Sequence, residues 1–451
     1  MKVHFIAIGG AAMHNIAIAL HLKGFEVSGS DDNIYEPSKS RLRSFGLLPT
    51  NIGWNSDKIT PDIDAIILGM HAKLGNPELS KAQKLGLKIY SYPEFIYEQS
   101  KDKTRVVISG SHGKTTITAM ILHVLNYYDK TCDFMLGAQL EGFDIMAHLT
   151  DENDFILLEG DEYLSSAIDL SPKFHHYKPN IALLSGIAWD HINVFSTFDN
   201  YLDQFSKFIT SIVDGGSITF NEEDKHVAEL VSMSNKSIRR FPYSTPAHFV
   251  ENGITYLETD EGPLPLEIFG SHNLNNLSGA KWICQQMGID QNDFFEAIST
   301  FPGASKRLER IFQSESLIVF KDFAHSPSKV DATTKAVKLQ YPSNSLLVCL
   351  ELHTFSSLNL NFIKQYENSL NKADTAVVFY SINSLEAKGM TPIPEDFILQ
   401  SFKHPNLTVI TDPLVFQGFL KDQNYINKTL LFMSSGNFAG FDFNSITTIV
   451  K

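Results

Sequence analysis

Cysteine is scarce in this chain: Cys132, Cys284 and Cys349 are the only three in 451 residues, odd in number and far apart. That excludes a disulfide framework and a cysteine-based metal cluster, and it points to a reducing compartment, with the cytoplasm as the expected location. Long apolar runs are missing too, and no stretch reaches the roughly 18 consecutive apolar residues of a membrane span. The N-terminal Lys2-Val3-His4-Phe5-Ile6-Ala7-Ile8 is short and runs into Gly9-Gly10, so it reads as a buried first strand and not as a leader. Positive charge is in deficit, 37 Lys and Arg against 51 Asp and Glu, for a formal net charge of −14. This balance argues against general nucleic-acid binding while leaving room for local basic pockets around phosphates. Internal repeats and low-complexity segments are absent. What remains is a composition of 43% hydrophobic and 20% charged residues, ordinary for a globular protein. The length calls for about two to four domains.

The most informative stretch that is present runs from Arg105 to Tyr127. An apolar run, Val106 to Ile108, ends in a loop containing Gly110, Ser111, His112 and Gly113. Lys114, Thr115 and Thr116 then open an amphipathic helix. Small residues let backbone N–H groups converge on phosphate oxygens, the helix N-terminus adds partial positive charge, and Lys114 adds a full one. The Thr115 hydroxyl suits Mg²⁺. The common phosphate loop has a further glycine where Ile108 stands. The strand before and the helix after nevertheless make a nucleotide triphosphate site the expectation.

Strand-like and helix-like runs alternate along the chain. His4 to Ile8, Glu26 to Ser30 and Ala65 to Gly69 read as strands, with a helix over Ala11 to Leu22. The polar Glu98 to Lys103 reads as a linker. Further strands are expected at Phe155 to Leu158, Ile181 to Leu184, Leu317 to Phe320, Leu346 to Leu350, Ala376 to Tyr380, Thr408 to Ile410 and Leu430 to Met433, with a break near Phe301-Pro302-Gly303. The pattern predicts an α/β protein of three domains, 1–98, 99–300 and 301–451, built on parallel sheets.

Other motifs sit at the ends of these strands. Gly9-Gly10 with Met13, and Asp31 closing the second strand, suggest a degenerate nucleotide loop. The three-glycine dinucleotide fingerprint fails, which disfavours a nicotinamide cofactor. Glu159 ends a buried strand and is well placed for Mg²⁺, directly or through water. Asp190-His191 ends the next strand, with a metal or phosphate role. The polar island Gly270 to Asn276 precedes a helical stretch, and its His272, Asn273 and Asn276 either cap that helix or read an adenine edge. Arg307 alone reads as part of a solvated face. Asp322 to His325 is another sheet-edge cluster, and Ser434 to Gly440 resembles an anion-binding turn.

In this order the motifs resemble the Mur ligases, which add amino acids or peptides to the UDP-muramoyl precursor of bacterial cell wall. The resemblance spans nearly the whole chain. It implies an N-terminal Rossmann-like domain holding a UDP-sugar through Gly9, Gly10, Met13 and Asp31. A central P-loop domain would hold ATP through Gly110, Ser111, His112, Gly113, Lys114, Thr115, Thr116, His272, Asn273 and Asn276. The C-terminal domain would be Rossmann-like and would take the amine. Mg²⁺ would be held by Thr115, Glu159 and His191, and Arg307, Asp322 and His325 would join Lys114, Glu159 and His191 in catalysis. Two branches of the family accept bare UDP-N-acetylmuramate. One adds L-alanine, the other a whole murein tripeptide, L-Ala-γ-D-Glu-meso-diaminopimelate. The runs Asp32 to Pro37, Glu162-Tyr163 with Ser171 to Tyr177, and Met433 to Gly440 look more like the tripeptide branch. A tripeptide needs a larger, more polar groove, and His353, Ser435 and Asn437, on loops that follow strands of the last domain, are expected to contact the peptide. Neither a nucleic-acid partner nor membrane insertion is expected, and the oligomeric state is left open. The chain departs from the family pattern at Ser185-Gly186 (usually Thr-Asn), at Ala188 (commonly Glu), at Ser326 (usually a second His) and at Glu351-Leu352-His353 (usually Glu-Pro-Arg).

Overall fold

A computed structural model describes residues 1–137, 139, 143–189, 194–304 and 307–446. Strands covered on both faces must be apolar throughout, and such runs assemble the parallel sheets. The first sheet consists of β1 (Lys2–Ile6), β2 (Glu26–Ser30), β3 (Ala65–Leu68) and β4 (Ile89–Ser91), in the order β2-β1-β3-β4. All of its pairings are parallel. Helices α1 (Ala11–Leu22), α2 (Ser38–Ser44), α3 (Pro77–Lys84) and α4 (Tyr92–Ser100) lie along this segment. The first strand stops at Ile6, short of the expected Ile8, because Ala7 turns the chain with φ of 76°.

Half of the polar stretch expected to be a linker is helix. Glu98, Gln99 and Ser100 complete α4, which starts with a capping box between Ser91 and Glu94. The helix end is closed by a long-range device that local composition does not reveal. The Arg105 guanidinium donates to the carbonyls of Ser100, Lys101 and Lys103 at 2.9, 2.9 and 3.1 Å.

The second sheet has the order β11-β10-β9-β5-β8-β6-β7. Its strands are β5 (Thr104–Ser109), β6 (Asp133–Met135), β7 (Ala147–His148), β8 (Phe155–Gly160), β9 (Ile181–Leu184), β10 (Ser217–Asn221) and β11 (Arg239–Tyr243), antiparallel only at β6–β7. Helices α5 (Lys114–Tyr127), α6 (Phe198–Ser211) and α7 (Lys225–Met233) belong to this segment. A three-stranded antiparallel sheet of β12 (His248–Glu251), β13 (Ile254–Thr259) and β14 (Gly262–Leu266) was not expected. Its first turn, Asn252-Gly253, has positive φ at both residues, 52° and 78°. That is the strongest short hairpin signal a sequence offers. Helices α8 (Ser271–Gln286) and α9 (Gln291–Ile298) follow.

The last sheet has the order β15-β16-β20-β17-β18-β19. It comprises β15 (Glu309–Gln313), β16 (Leu317–Asp322), β17 (Ser345–Glu351), β18 (Thr375–Phe379), β19 (Leu407–Ile410) and β20 (Lys428–Met433), with α10 (Pro327–Gln340) after β16. Only the edge strand β15 is antiparallel. On one face Phe379, Phe416, Phe432, Phe438 and Phe441 pack into one cluster, each contributing about 1.5–3 kcal/mol by burial.

Residue contacts group the chain into two compact units. One holds Met1–Ile187, Thr197–Ser244 and Ser278–Phe294; the other holds Ala188–Ser196, Thr245–Leu277 and Phe295–Lys451. No helix among the described residues is long and apolar enough to cross a membrane.

Candidate active site

The expected phosphate loop lies between β5 and α5 at the middle of the seven-stranded sheet. Gly110 and Gly113 have φ of 129° and 83°, which L side chains rarely adopt. A Cβ on Gly110 would lie 2.2 Å from Ser185 Oγ. The loop is tied to β9 by Ser185 N–H donating to Ser109 O at 3.0 Å and by Ser111 N–H donating to Gly186 O at 2.9 Å. The first N–H groups of α5 have no acceptor within their own helix and suit an anion. Thr115 and Thr116 are buried in that first turn.

Lys114 Nζ donates to Gly110 O and, at 2.7 Å, to Glu162 Oε2. Burial alone would lower the Lys114 pKa; Glu162, with Asp161 and Glu159 adding to it, reverses this and raises it overall. Lys114 is therefore a fixed cation. Glu162 is buried, with its other oxygen accepting from the Tyr201 hydroxyl at 3.1 Å, and Tyr201 Oη lies 2.8 Å from Ser111 Oγ. Sequence reasoning gave Glu162 and Tyr201 no role. Glu162 had a weak signal as the last acid of the Glu159–Glu162 run. Tyr201, on α6, had none.

Ser185-Gly186 now has a spatial reason. The Ser185 hydroxyl donates to the His112 carbonyl, and Asn221 Nδ2 donates to Ser185 O at 3.0 Å. A Cβ on Gly186 would sit 2.4 Å from His112 Cε1, so the histidine ring fills the place of a larger residue's side chain.

Glu159 is the second-last residue of β8, directly beside β5 in register with Ile108, and is 8% exposed. The Thr115 hydroxyl donates to Glu159 Oε2 at 3.4 Å. A hydroxyl and a carboxylate converging in a buried spot beside a phosphate loop form the all-oxygen donor set that Mg²⁺ prefers, so these residues fit that ion. His191, expected as a further ligand, lies outside the described residues, as does Asp190.

A second cleft opens at the end of β1. A cavity of about 510 Å³ is lined by Gly9, Gly10, Asp32, Asn33, Tyr35 and His71. Of the four residues expected to hold a UDP-sugar, Gly9 and Gly10 line it. Met13 and Asp31 are buried, at 4% and 0% exposure. Asp31 organises the wall: its Oδ2 accepts from Gly9 N–H at 2.7 Å, and its Oδ1 lies 3.2 Å from His71 Nε2. Burial works to raise the Asp31 pKa, but His71 and the Gly9 N–H outweigh it and the net direction is down. His71, which follows β3, was missed. Its only sequence signal was position at the carboxyl end of a parallel strand.

The remaining expected residues belong to the second unit. The helix α8 starts at Ser271, so the polar island is its first turn and not a loop before it. Asn273 Nδ2 donates to Phe269 O at 3.0 Å, and Asn276 is buried. Burial lowers the His272 pKa, against the pull of Asp322. Asp322 accepts from Leu308 N–H at 2.5 Å and from Ala324 N–H at 2.7 Å. The Arg307 guanidinium lies 4.6 Å from the centre of the Phe323 ring, and His325 Nδ1 lies 2.8 Å from Phe323 O. Arg307, Asp322 and His325 thus gather around one turn.

The Ser434–Gly440 turn is pinned by Glu351, another residue without an expected role. Its Oε2 accepts from the Ser434 hydroxyl and, at 2.8 Å, from Phe438 N–H. His353 Nδ1 lies 3.9 Å from Glu351 Oε1. Ser435 is half-buried, and the exposed Asn437 accepts from Gly440 N–H at 3.0 Å.

Comparison with known proteins bears on this assembly. Residues 2–104 match a family model described as the Mur ligase family, catalytic domain, and residues 108–284 match the Mur ligase middle domain. The UDP-N-acetylmuramate–L-alanine ligase of Caldicellulosiruptor saccharolyticus is 31% identical over 393 residues, covering 84% of this chain and 83% of its own. The UDP-N-acetylmuramate–L-alanyl-γ-D-glutamyl-meso-2,6-diaminoheptandioate ligase of Haemophilus influenzae is 26% identical over 450 residues, covering 97% of each chain. Among solved structures, a murein peptide ligase from Psychrobacter arcticus superposes with a TM-score of 0.66 at 21% identity, covering 100% of this chain and 98% of that one. With matches to both family models and a relative 31% identical over 84% of its length, the chain belongs to the Mur ligase family of ATP-dependent, amide-forming ligases of peptidoglycan synthesis.

Proposed function

We propose that this ligase joins UDP-N-acetylmuramate to the murein tripeptide L-Ala-γ-D-Glu-meso-diaminopimelate, in peptidoglycan recycling. The observation that carries this reading is the setting of the Ser171–Tyr177 run, which resembles the tripeptide branch. Lys173 Nζ is 2.5 Å from Asp161 Oδ2 and 5.7 Å from the ring centres of both Tyr92 and Tyr163. The run is therefore built into the wall beside Glu159 and Glu162 and is not a surface ornament. The 31% identity to the Caldicellulosiruptor saccharolyticus relative favours a second reading, L-alanine as the amine.

A carboxylate is a poor electrophile, so the muramoyl lactate carboxylate must first be activated. In the proposed reaction its oxygen attacks the γ-phosphorus of ATP and ADP leaves. The amine then attacks the acyl carbon of the resulting acyl phosphate, and phosphate leaves. The protein's work is positioning and charge neutralisation. Lys114 exchanges Glu162 for the β- and γ-phosphates, while backbone N–H groups of 110–116 take the remaining oxygens. Thr115 and Glu159, with His191, would hold Mg²⁺, which when bound neutralises phosphate charge. Gly9 and Gly10 give the UDP-sugar a close approach to backbone, with Asp31 and Met13 supporting them from behind. His272, Asn273 and Asn276 toward adenine, Arg307, Asp322 and His325 toward the reacting groups, and His353, Ser435 and Asn437 toward the peptide complete the assignment. The division into functional domains 1–98, 99–300 and 301–451 belongs to the same proposal. The test is mass spectrometry of the product formed from UDP-N-acetylmuramate with tripeptide, then with L-alanine. A product with alanine alone gives the second reading.

A further inference from the structure

We infer that His71 supplies a cationic, pH-dependent contact to the diphosphate of the nucleotide-sugar in the cavity at the end of β1. The inference rests on the proposed use of UDP-N-acetylmuramate. Among the described residues lining that cavity there is no lysine or arginine, and His71 is the one side chain of these able to carry positive charge. A diphosphate bridge brings two negative charges into it. The backbone offers limited help: Gly9 N–H is already given to Asp31 at 2.7 Å, and Gly10 N–H reaches Ala7 O at 3.4 Å. The start of α1, with Gly10 as its cap residue and no side-chain cap, adds only a partial charge.

Asp31 is placed to make His71 a cation without reaching the ligand itself. It is fully buried, and the 3.2 Å contact engages His71 Nε2. The histidine side chain is 48% exposed. With Nε2 committed to Asp31, Nδ1 is the nitrogen that can donate to a phosphate oxygen, and it does so only in the protonated ring if Nε2 also donates. The hydrogen bond to Asp31 raises the His71 pKa, burial opposes this, and the charges of Asp31 and Asp32 add to the rise. Asp31 and Asp32 are the charged groups that bear on it.

The sign follows. A group with a raised pKa that gains an anionic partner is protonated more fully in the complex, so binding takes up protons and tightens as pH falls. The diphosphate diester and the lactate carboxylate hold their charge from about pH 6 to 8.5 and contribute no slope there.

The experiment is calorimetric titration of the full chain with UDP-N-acetylmuramate, without ATP, across that pH range. The variant is His71→Gln, which keeps a donor for Asp31 and loses the charge. The wild-type Kd should tighten about tenfold from the alkaline to the acidic end, and the variant should stay near the alkaline wild-type value throughout. Wild type should also take up protons on binding, read from the difference in heat between two buffers of unlike ionisation enthalpy. That reading needs no variant to fold. ATP affinity should be the same in both proteins. A pH-independent wild-type Kd, or a slope retained in His71→Gln, overturns the role of His71 while leaving the substrate in place. A folded wild type that binds ATP but no UDP-N-acetylmuramate at any pH overturns the substrate reading, and this inference with it.

Discussion

Replacing Lys114 with methionine separates what this lysine does for ATP from what it does for the fold. The ammonium is 2.7 Å from Glu162, whose side chain is 1% exposed, against 16% for the lysine. Removing the cation leaves a buried carboxylate to which the Tyr201 hydroxyl still donates, at 3.1 Å to Oε1. Stranding one member of a buried ion pair costs about 3–5 kcal/mol. The surviving hydrogen bond offsets about 1 kcal/mol of that, so Lys114→Met should lose about 2–4 kcal/mol. That corresponds to a shift of about 5–10 °C in the transition of the unit holding the loop. The double variant Lys114→Met/Glu162→Gln removes the stranded charge and keeps an acceptor for Tyr201, so it should regain at least half of the loss. Neither variant should turn over: a fixed contact to phosphates at such a site contributes about 3 kcal/mol, more than a hundredfold in kcat/KM for ATP. Thermal melts and a phosphate-release assay on both proteins decide it. A double variant no more stable than the single one refutes the buried-pair argument. Near-normal turnover of either at saturating ATP refutes the phosphate-loop assignment.

Glu159→Gln keeps the shape beside Thr115 but cannot neutralise a divalent cation, so the Mg²⁺ concentration for half-maximal rate should rise and the rate fall. Overlaid Mg²⁺ titrations for variant and wild type remove Glu159 from metal binding. Gly186→Asn restores the residue more usual in the family, yet its Cβ would meet His112 Cε1 at 2.4 Å. Overpacking of this kind costs about 1–3 kcal/mol, and with His112 displaced the KM for ATP should increase. An unchanged melt and KM would show that the ring has room elsewhere. Tripeptide should exceed L-alanine in kcat/KM, and His353→Ala should weaken tripeptide use with little effect on the KM for ATP. A preference for free L-alanine overturns the tripeptide branch.

Local regularities were readable in the sequence, and contacts across strands were not. The helix over Ala11–Leu22 and the strands Glu26–Ser30 and Ile181–Leu184 fall where apolar pattern and bounding turns put them. The phosphate loop was visible because its chemistry is consecutive in the chain. The end of α4 was misread as a linker because the group that closes it, Arg105, comes from the next strand. The Asn252-Gly253 hairpin carried its own signal and was overlooked among short polar strands. Glu162, Tyr201, His71 and Glu351 were given no role for a common reason. Each acts through a partner 39 to 87 residues away: Tyr201 on Glu162, His71 on Asp31, Lys114 on Glu162, and Phe438 on Glu351.

The departure at Glu351-Leu352-His353 shows how amine choice could shift while activation chemistry stays fixed. Leu352 N–H donates to Phe379 O at 2.8 Å, extending the β17–β18 ladder by a bond that the proline more usual in the family could not make. The extra rung sets the backbone before His353. Burial, then the charge of Lys388, lowers the His353 pKa against the opposing pull of Glu351, so the ring is neutral near pH 7. A neutral imidazole can donate one hydrogen bond to a carboxylate but cannot replace the full charge of the usual arginine. A cation is nevertheless at hand, since Lys388 Nζ donates to the His353 carbonyl. Glu351 does not compete with a peptide carboxylate for these donors, because it is 2% exposed and its Oε2 holds the 434–440 turn. In the proposed tripeptide complex the charge of the arginine is thus divided: Lys388 carries it and His353 adds a neutral donor. On that division His353→Ala should weaken tripeptide use without abolishing it.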